Sequence, residues 1–300
     1  MRAPALLLAC VLALAGFASA ADLPPLRVVT LSTVLTEIAQ TIGGDAVSVQ
    51  GLLLPTMDPH TFDPTPQDIR AAVDADLVLA SGWGLESYLD RLVARGNPRM
   101  KVLRAADAVH DAAKLPPEFA EPGREVDPHW WQSPAAVRDV SLLVATGFRT
   151  ARPDQAVAFN ARTQAWVERL DHLARWARAR AEQIPPEQRH LVTSHDAFGW
   201  LARDLGLAVD PIKGLSSEAE PSGRHLAEII DLIRRHHIRA VFAENIENPR
   251  IIESLTQETG ARIGGTLFAD GLGPPGSGAE TYEAMYRHNV DTIVNALAGP

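Results

Sequence analysis

Apolar and polar positions along this 300-residue chain alternate between two periods. Short β-branched runs, with a strand's two-residue repeat or no polar break, are Arg27–Leu31, Val47–Leu54, Asp76–Ala80 and Lys101–Leu103. Between them lie stretches with helical spacing. One runs from about Thr33 to Gly43-Gly44, where glycine supplies a helix end. A second starts at Pro66 with Thr65 as its cap, and a third ends near Ala94. After a polar loop ending at His129, a helix opens near Pro134.

Arg152-Pro153-Asp154 breaks the chain, and from there to about Gln183 neither Gly nor Pro occurs. Phe159, Trp166, Leu170, Leu173 and Ala177 recur at three- and four-residue steps, which predicts one amphipathic helix of about 45 Å. Pro185-Pro186 ends it and the alternation resumes. Strands are expected at His190–Thr193, Leu207–Ile212, Arg239–Ala243 and Ala261–Phe268. Helices between them end near Gly206 and at His236-His237, or start at Asn248-Pro249, and a last helix covers about Ala279–Leu297. Strand–helix alternation on both sides of one long helix predicts an α/β fold of two lobes, each with a parallel sheet covered by helices. The long helix is the strut between them. The expected division is 21–150, 151–186 for the linking helix, and 187–300.

The first twenty residues change the setting. Arg2, the apolar run Ala5–Phe17 and Ala18-Ser19-Ala20 have the form of a secretory signal peptide, cleaved after residue 20. The run is too short to span a membrane. Cys10 is the only cysteine; Leu7-Leu8-Ala9-Cys10 leaves almost no hydrophobic region before it, which reads against a lipid anchor. Cleavage would leave no cysteine, hence no disulfide and no thiolate ligand, so any metal must be held by nitrogen and oxygen. Lys and Arg number 28 against 37 Asp and Glu, a net charge of −9, which disfavours nucleic acid and anionic membrane as partners.

Candidate chemistry lies at the expected carboxyl ends of strands, where open parallel sheets bind ligands. Asp58-Pro59-His60 and Asp127-Pro128-His129 are two stiff loops of the same composition, each leading into a helix. His195 and Asp270 follow strands beyond the long helix. A cleft between lobes could gather His60, His129, His195 and Asp270 into an N3O set of the kind zinc accepts. Glu244 also ends a strand and is the rival to Asp270. Asp58 and Asp127 are expected to serve their own turns. His172, His225 and His288 are assigned to solvated helix faces, His236 and His237 to a helix end, and His110 and His190 to strand flanks. Glu218 and Glu220 are read as solvated.

These residues resemble a family, the metal-specific solute-binding proteins of bacterial ABC importers for zinc and manganese. The matching stretches are Met57–His60 through Thr65–Ile69, Asp127–Trp130, Thr193–Ala202, Glu218–Ser222 and Tyr282–Val294. The resemblance implies a periplasmic protein, not an enzyme, that carries its ion to a membrane permease. It implies a metal held between two lobes by His60, His129, His195 and Asp270. It also implies a monomer with a metallochaperone as a conceivable donor, and some surface-exposed relatives have been assigned as adhesins. Manganese members typically put glutamate where His195 stands, and a third imidazole favours zinc, with manganese the alternative.

Three departures are visible. Where many members follow the second histidine with Trp-Leu-Asp-Pro, this chain has Trp131-Gln132-Ser133-Pro134. The long His/Asp-rich loop of many zinc members and the disulfide of some are not here. The rival class is a secreted zinc hydrolase with three ligands, a water and Glu244 or Glu220 as base. Neither His-Glu-x-x-His nor Gly-x-Ser-x-Gly occurs to support it.

Overall fold

The computed structural model describes residues 23–95, 100–109, 126–215, 221–246 and 248–299. The expected signal peptide with Cys10, the loop containing His110 and Leu115–Glu125, and Glu218 and Glu220 lie outside the described residues.

The first lobe opens with β1 (Leu26–Thr30), where Val28 and Val29 bury opposite faces. Ser32 caps α1 (Thr33–Gly43) by accepting from Leu35 N–H, and Gly44 ends it at φ 51°. Glycine is required at that point, because the backbone is left-handed and the Arg162 guanidinium fills the place a Cβ would take. β2 (Val47–Gly51) leads into the first Asp-Pro-His loop, and α2 (Pro66–Asp74) follows with a reciprocal cap. Thr65 Oγ1 accepts from Asp68 N–H while the Asp68 carboxylate accepts from Thr65 N–H at 2.8 Å. Thr65→Ala is expected to cost about 1 kcal/mol, read as a lower urea midpoint at unchanged slope.

β3 (Leu77–Ala80), α3 (Leu89–Arg95), β4 (Lys101–Arg104) and the single turn α4 (Ala106–Val109) complete the sheet. All three pairings are parallel, in the order β2-β1-β3-β4.

A 3-10 turn at Trp130–Gln132 precedes α5 (Pro134–Ala151), which Ser133 caps through Ala136 N–H. Then comes the strut, α6 (Ala156–Ala181). Its 26 residues give about 39 Å, shorter than expected because Pro153–Gln155 forms a separate 3-10 turn. The buried stripe is Phe159, Thr163, Trp166, Leu170, Leu173, Ala177 and Ala181, a three- and four-residue repeat. Burying each large apolar member contributes about 1.5–3 kcal/mol. The amino-terminal half lies on the first lobe: Arg162 donates to Gly43 O and Trp166 Nε1 to Ser141 Oγ. At the other end Arg180 reaches Asp291 and Asn295 of α10 (Tyr282–Leu297).

The second lobe contains β5 (His190–Thr193), α7 (Gly199–Leu205), β6 (Ala208–Pro211), α8 (Gly223–His236), β7 (Ala240–Glu244), α9 (Arg250–Thr259) and β8 (Arg262–Leu267). β5 pairs with β6 and β7 with β8, both parallel, and β5 runs beside β7. The winding β6-β5-β7-β8 therefore repeats that of the first lobe, but as two ladders rather than the single sheet expected. The register slips between Val241 and Phe242, where the Phe242 ring occupies the space above Gly264. One apolar cluster, including Phe148, Trp166, Trp200 and Tyr282, runs through both lobes and the strut.

Candidate metal site

Each Asp-Pro-His loop folds the same way. Asp58 Oδ1 accepts from His60 N–H at 2.8 Å, and Asp127 Oδ1 accepts from His129 N–H at 2.8 Å, the Asx turns expected of both. Asp127 does more: its Oδ1 also accepts from the His129 ring at Nδ1, 2.7 Å away. In the second lobe His195 leaves β5 and Glu244 ends β7, so the two meet where the winding reverses direction. Glu244 Oε1 accepts from His195 N–H at 3.0 Å, and Oε2 accepts from the ring at Nδ1. Glu244 is thus not the rival of Asp270. It is the carboxylate that orients a histidine, as Asp127 is for His129.

With Nδ1 of both rings bonded to a carboxylate, Nε2 is the nitrogen each imidazole can turn to a metal once it gives up its second proton. The three Nε2 atoms and the Asp270 carboxylate converge, with all four donor atoms within 4.8 Å of one another. His60 Nε2 lies 3.1 Å from His129 Nε2. Asp270 Oδ1 lies 3.3 Å from His60, 3.3 Å from His129 and 3.6 Å from His195. A tetrahedron of donors about 2.0–2.1 Å from a central zinc has edges of about 3.3–3.4 Å, close to the separations among His60, His129 and Asp270. His195 Nε2 and both Asp270 oxygens are buried without a hydrogen-bond partner. Such orphaned groups cost about 1–3 kcal/mol each unless something binds them.

Electrostatics sharpen the picture. Burial alone would lower the His129 pKa, but the charge and hydrogen bond of Asp127, with Asp270 nearby, push it up to about 9. His195 is likewise held well above its ordinary value, the charges of Glu244 and Asp270 outweighing burial. Asp270 is held well below the usual carboxylate range, because His195 and the other imidazoles outweigh its burial.

His60 differs from its partners. Its side chain is 10% exposed while those of His129 and His195 are at 0%, and among the described residues none orients its Nδ1. Beside it lies a cavity lined by His60 with Trp83, Leu85, Val126, Pro128 and Leu215. Trp83 sits there at φ 51°, unusual for an aromatic residue, and stacks on Trp200 of the other lobe at 6.1 Å.

Among the described residues the remaining histidines keep out of the site. His172 is exposed, as expected. His225 and His288 are not simply solvated: each sets Nε2 2.9 Å from a strand-end carbonyl, Pro211 O and Thr266 O. His190 pairs with Asp210 at 3.0 Å, and His237 closes α8 in the left-handed conformation.

A family model described as the periplasmic component A of the zinc-uptake complex matches residues 28–296. The zinc-binding protein TroA of Treponema pallidum is 33% identical over 305 aligned positions, covering 97% of each chain. The manganese-binding lipoprotein MntA of Bacillus subtilis is 32% identical over 278, covering 91% of this chain and 90% of its own. The solved structure of the T. pallidum periplasmic zinc-binding protein superposes with a TM-score of 0.85 at 30% identity, covering 92% of this chain and 99% of that one. With a lipoprotein among these relatives, the expectation that Cys10 carries no lipid finds no support.

Proposed function

The chain belongs to the zinc-uptake component A family, the periplasmic metal-binding proteins of ABC importers, and we propose that its own cargo is Zn2+. His60, His129, His195 and Asp270 are the ligands in this reading. The observation that carries it is the convergence of three imidazoles and one carboxylate on one buried point, their donor atoms all within 4.8 Å of one another. Divalent manganese is bound weakly by imidazole and prefers a larger oxygen-rich shell, so three imidazoles favour zinc. The relatives do not separate the metals, since one is named for zinc and another, at nearly the same identity, for manganese. The donor set does.

Residues 1–20 direct export and are removed, 21–150 and 187–300 form the lobes, and 151–186 link them. All four ligands come from one chain, so a monomer suffices to capture the ion and carry it to the permease, with or without a metallochaperone as donor. Two observations support a carrier over the hydrolase alternative: Asp270 supplies a fourth donor beside the three imidazoles, and Glu244 is hydrogen-bonded to His195.

Titrating metal-free protein with Zn2+ and Mn2+ under chelator competition tests the proposal. Zinc is expected to bind more tightly by orders of magnitude, following the order of divalent-ion affinities for nitrogen donors. Equal or stronger manganese binding would reverse the choice of metal, and binding of neither would remove the function.

A further inference from the structure

Gln132 stands on the 3-10 turn after His129, in the first lobe, and is fully buried. Its Nε2 donates across the lobe interface to Phe268 O and Ala269 O, both at 2.9 Å. Trp131 Nε1 donates to the same Ala269 O at 2.8 Å. The opposite orientation of the amide would set its oxygen against two carbonyl oxygens, so the surroundings determine which end donates. Gln132 Oε1 is left buried without a partner, a cost that the leucine of the resembled family would not carry. A residue that breaks local satisfaction in this way points to a functional position.

The acceptors say which function. Ala269 C=O and Asp270 N–H belong to one planar peptide group. Donors on Ala269 O therefore fix the plane from which the Asp270 side chain extends. Beyond Asp270 comes Gly271, and Leu272 N–H donates to Thr33 Oγ1 of the first lobe at 2.9 Å. Asp270 belongs to the second lobe by sequence, yet its loop is held on both sides by the first.

We propose that Gln132 is a positioning residue for the metal: its amide locks the Ala269–Asp270 peptide against the first lobe, so that the carboxylate stands in place before the ion arrives. This rests on Asp270 being a ligand, the reading proposed above. Partners one step behind a metal ligand typically change affinity by about 10- to 100-fold when removed.

Gln132→Met keeps the volume and deletes both donors; Gln132→Leu does the same with another shape, should the first fail to fold. Zinc affinity is measured by chelator competition in wild type, Gln132→Met, Asp270→Asn and the double variant. The expected loss is about 10- to 100-fold from Gln132→Met in the wild-type background and under about threefold in the Asp270→Asn background. A residue that merely fills the interface would cost the same factor in both backgrounds. That equality, or no loss in the wild-type background, overturns the proposal. In metal-free protein the Leu272 amide, bonded to Thr33 across the lobe interface, is expected to exchange at least about tenfold faster in Gln132→Met. Unchanged exchange in a protein that binds zinc overturns the latch. Faster exchange in a protein whose wild type binds no zinc supports the latch and overturns the ligand assignment instead.

Discussion

Asp270→Asn is expected to weaken zinc binding about a hundredfold or more, measured by chelator competition near pH 7.5. Zinc held by four protein ligands is bound by about 10–16 kcal/mol, so one ligand accounts for about 3 kcal/mol, or two decades of affinity. Asparagine preserves the shape and still offers a carbonyl oxygen, but not the charge. Asp270 Oδ1 touches all three imidazoles at 3.3–3.6 Å and is 3% exposed, so no solvent ion can stand in for it. One effect opposes the loss. Asp270 helps hold protons on His129 and His195, and without it those rings release their protons more readily to an incoming ion. The opposition is partial, since it removes competition without replacing a ligand. A site whose fourth position is water would lose little affinity through this change. Unaltered zinc binding by Asp270→Asn would therefore take Asp270 out of the shell.

The four donors that the structure brings together were legible in the sequence because their signals are local. Two Asp-Pro-His loops and two further donors at strand ends can be read from periodicity and turn chemistry alone. Helix ends were equally open to reading: Thr65 with Pro66, Gly43-Gly44 and Gly206 stand at boundaries the structure keeps. Asn248-Pro249 was off by one, as Pro249 is the cap itself and Asn248 Oδ1 supports Arg250 N–H. What escaped was long-range. Glu244 looked like a ligand because it ends a strand, whereas its role comes from lying across from His195, 49 residues away. Gln132 shows in the sequence only as a departure from a leucine, yet it meets the peptide beside Asp270, 137 positions on. Periodicity reports which face of an element is buried; it does not report which elements become neighbours. The second carboxylate–histidine pair had one usable signal, a buried acid at the end of the strand parallel to that of the histidine.

Zinc affinity should also fall by about two decades for each pH unit lost between about pH 8 and 6, about 10,000-fold in all. In the metal-free protein His129 keeps its proton up to about pH 9 and His195 is held well above the ordinary histidine value, whereas Asp270 stays ionised. An ion needs the Nε2 lone pairs, so binding at neutral pH must expel about two protons, and acid reverses the exchange by mass action. The stability of the metal-free protein follows the same groups with its own sign. A raised histidine contributes stability that is fully present below its unfolded value near 6.5 and lost as pH rises through about 9. The depressed Asp270 contributes stability present above the ordinary 3.8 and lost as pH falls through its lower folded value. Raising the pH from 6 to 9 thus weakens the empty protein while strengthening its hold on zinc. The shift in melting temperature on adding zinc should widen steadily across that window. Calorimetric titration in two buffers of different ionisation enthalpy counts the protons directly. A count near zero at pH 7, with affinity flat from pH 6 to 8, would mean that the empty site holds its imidazoles neutral. The carboxylates of Asp127 and Glu244 would then serve only to aim the rings.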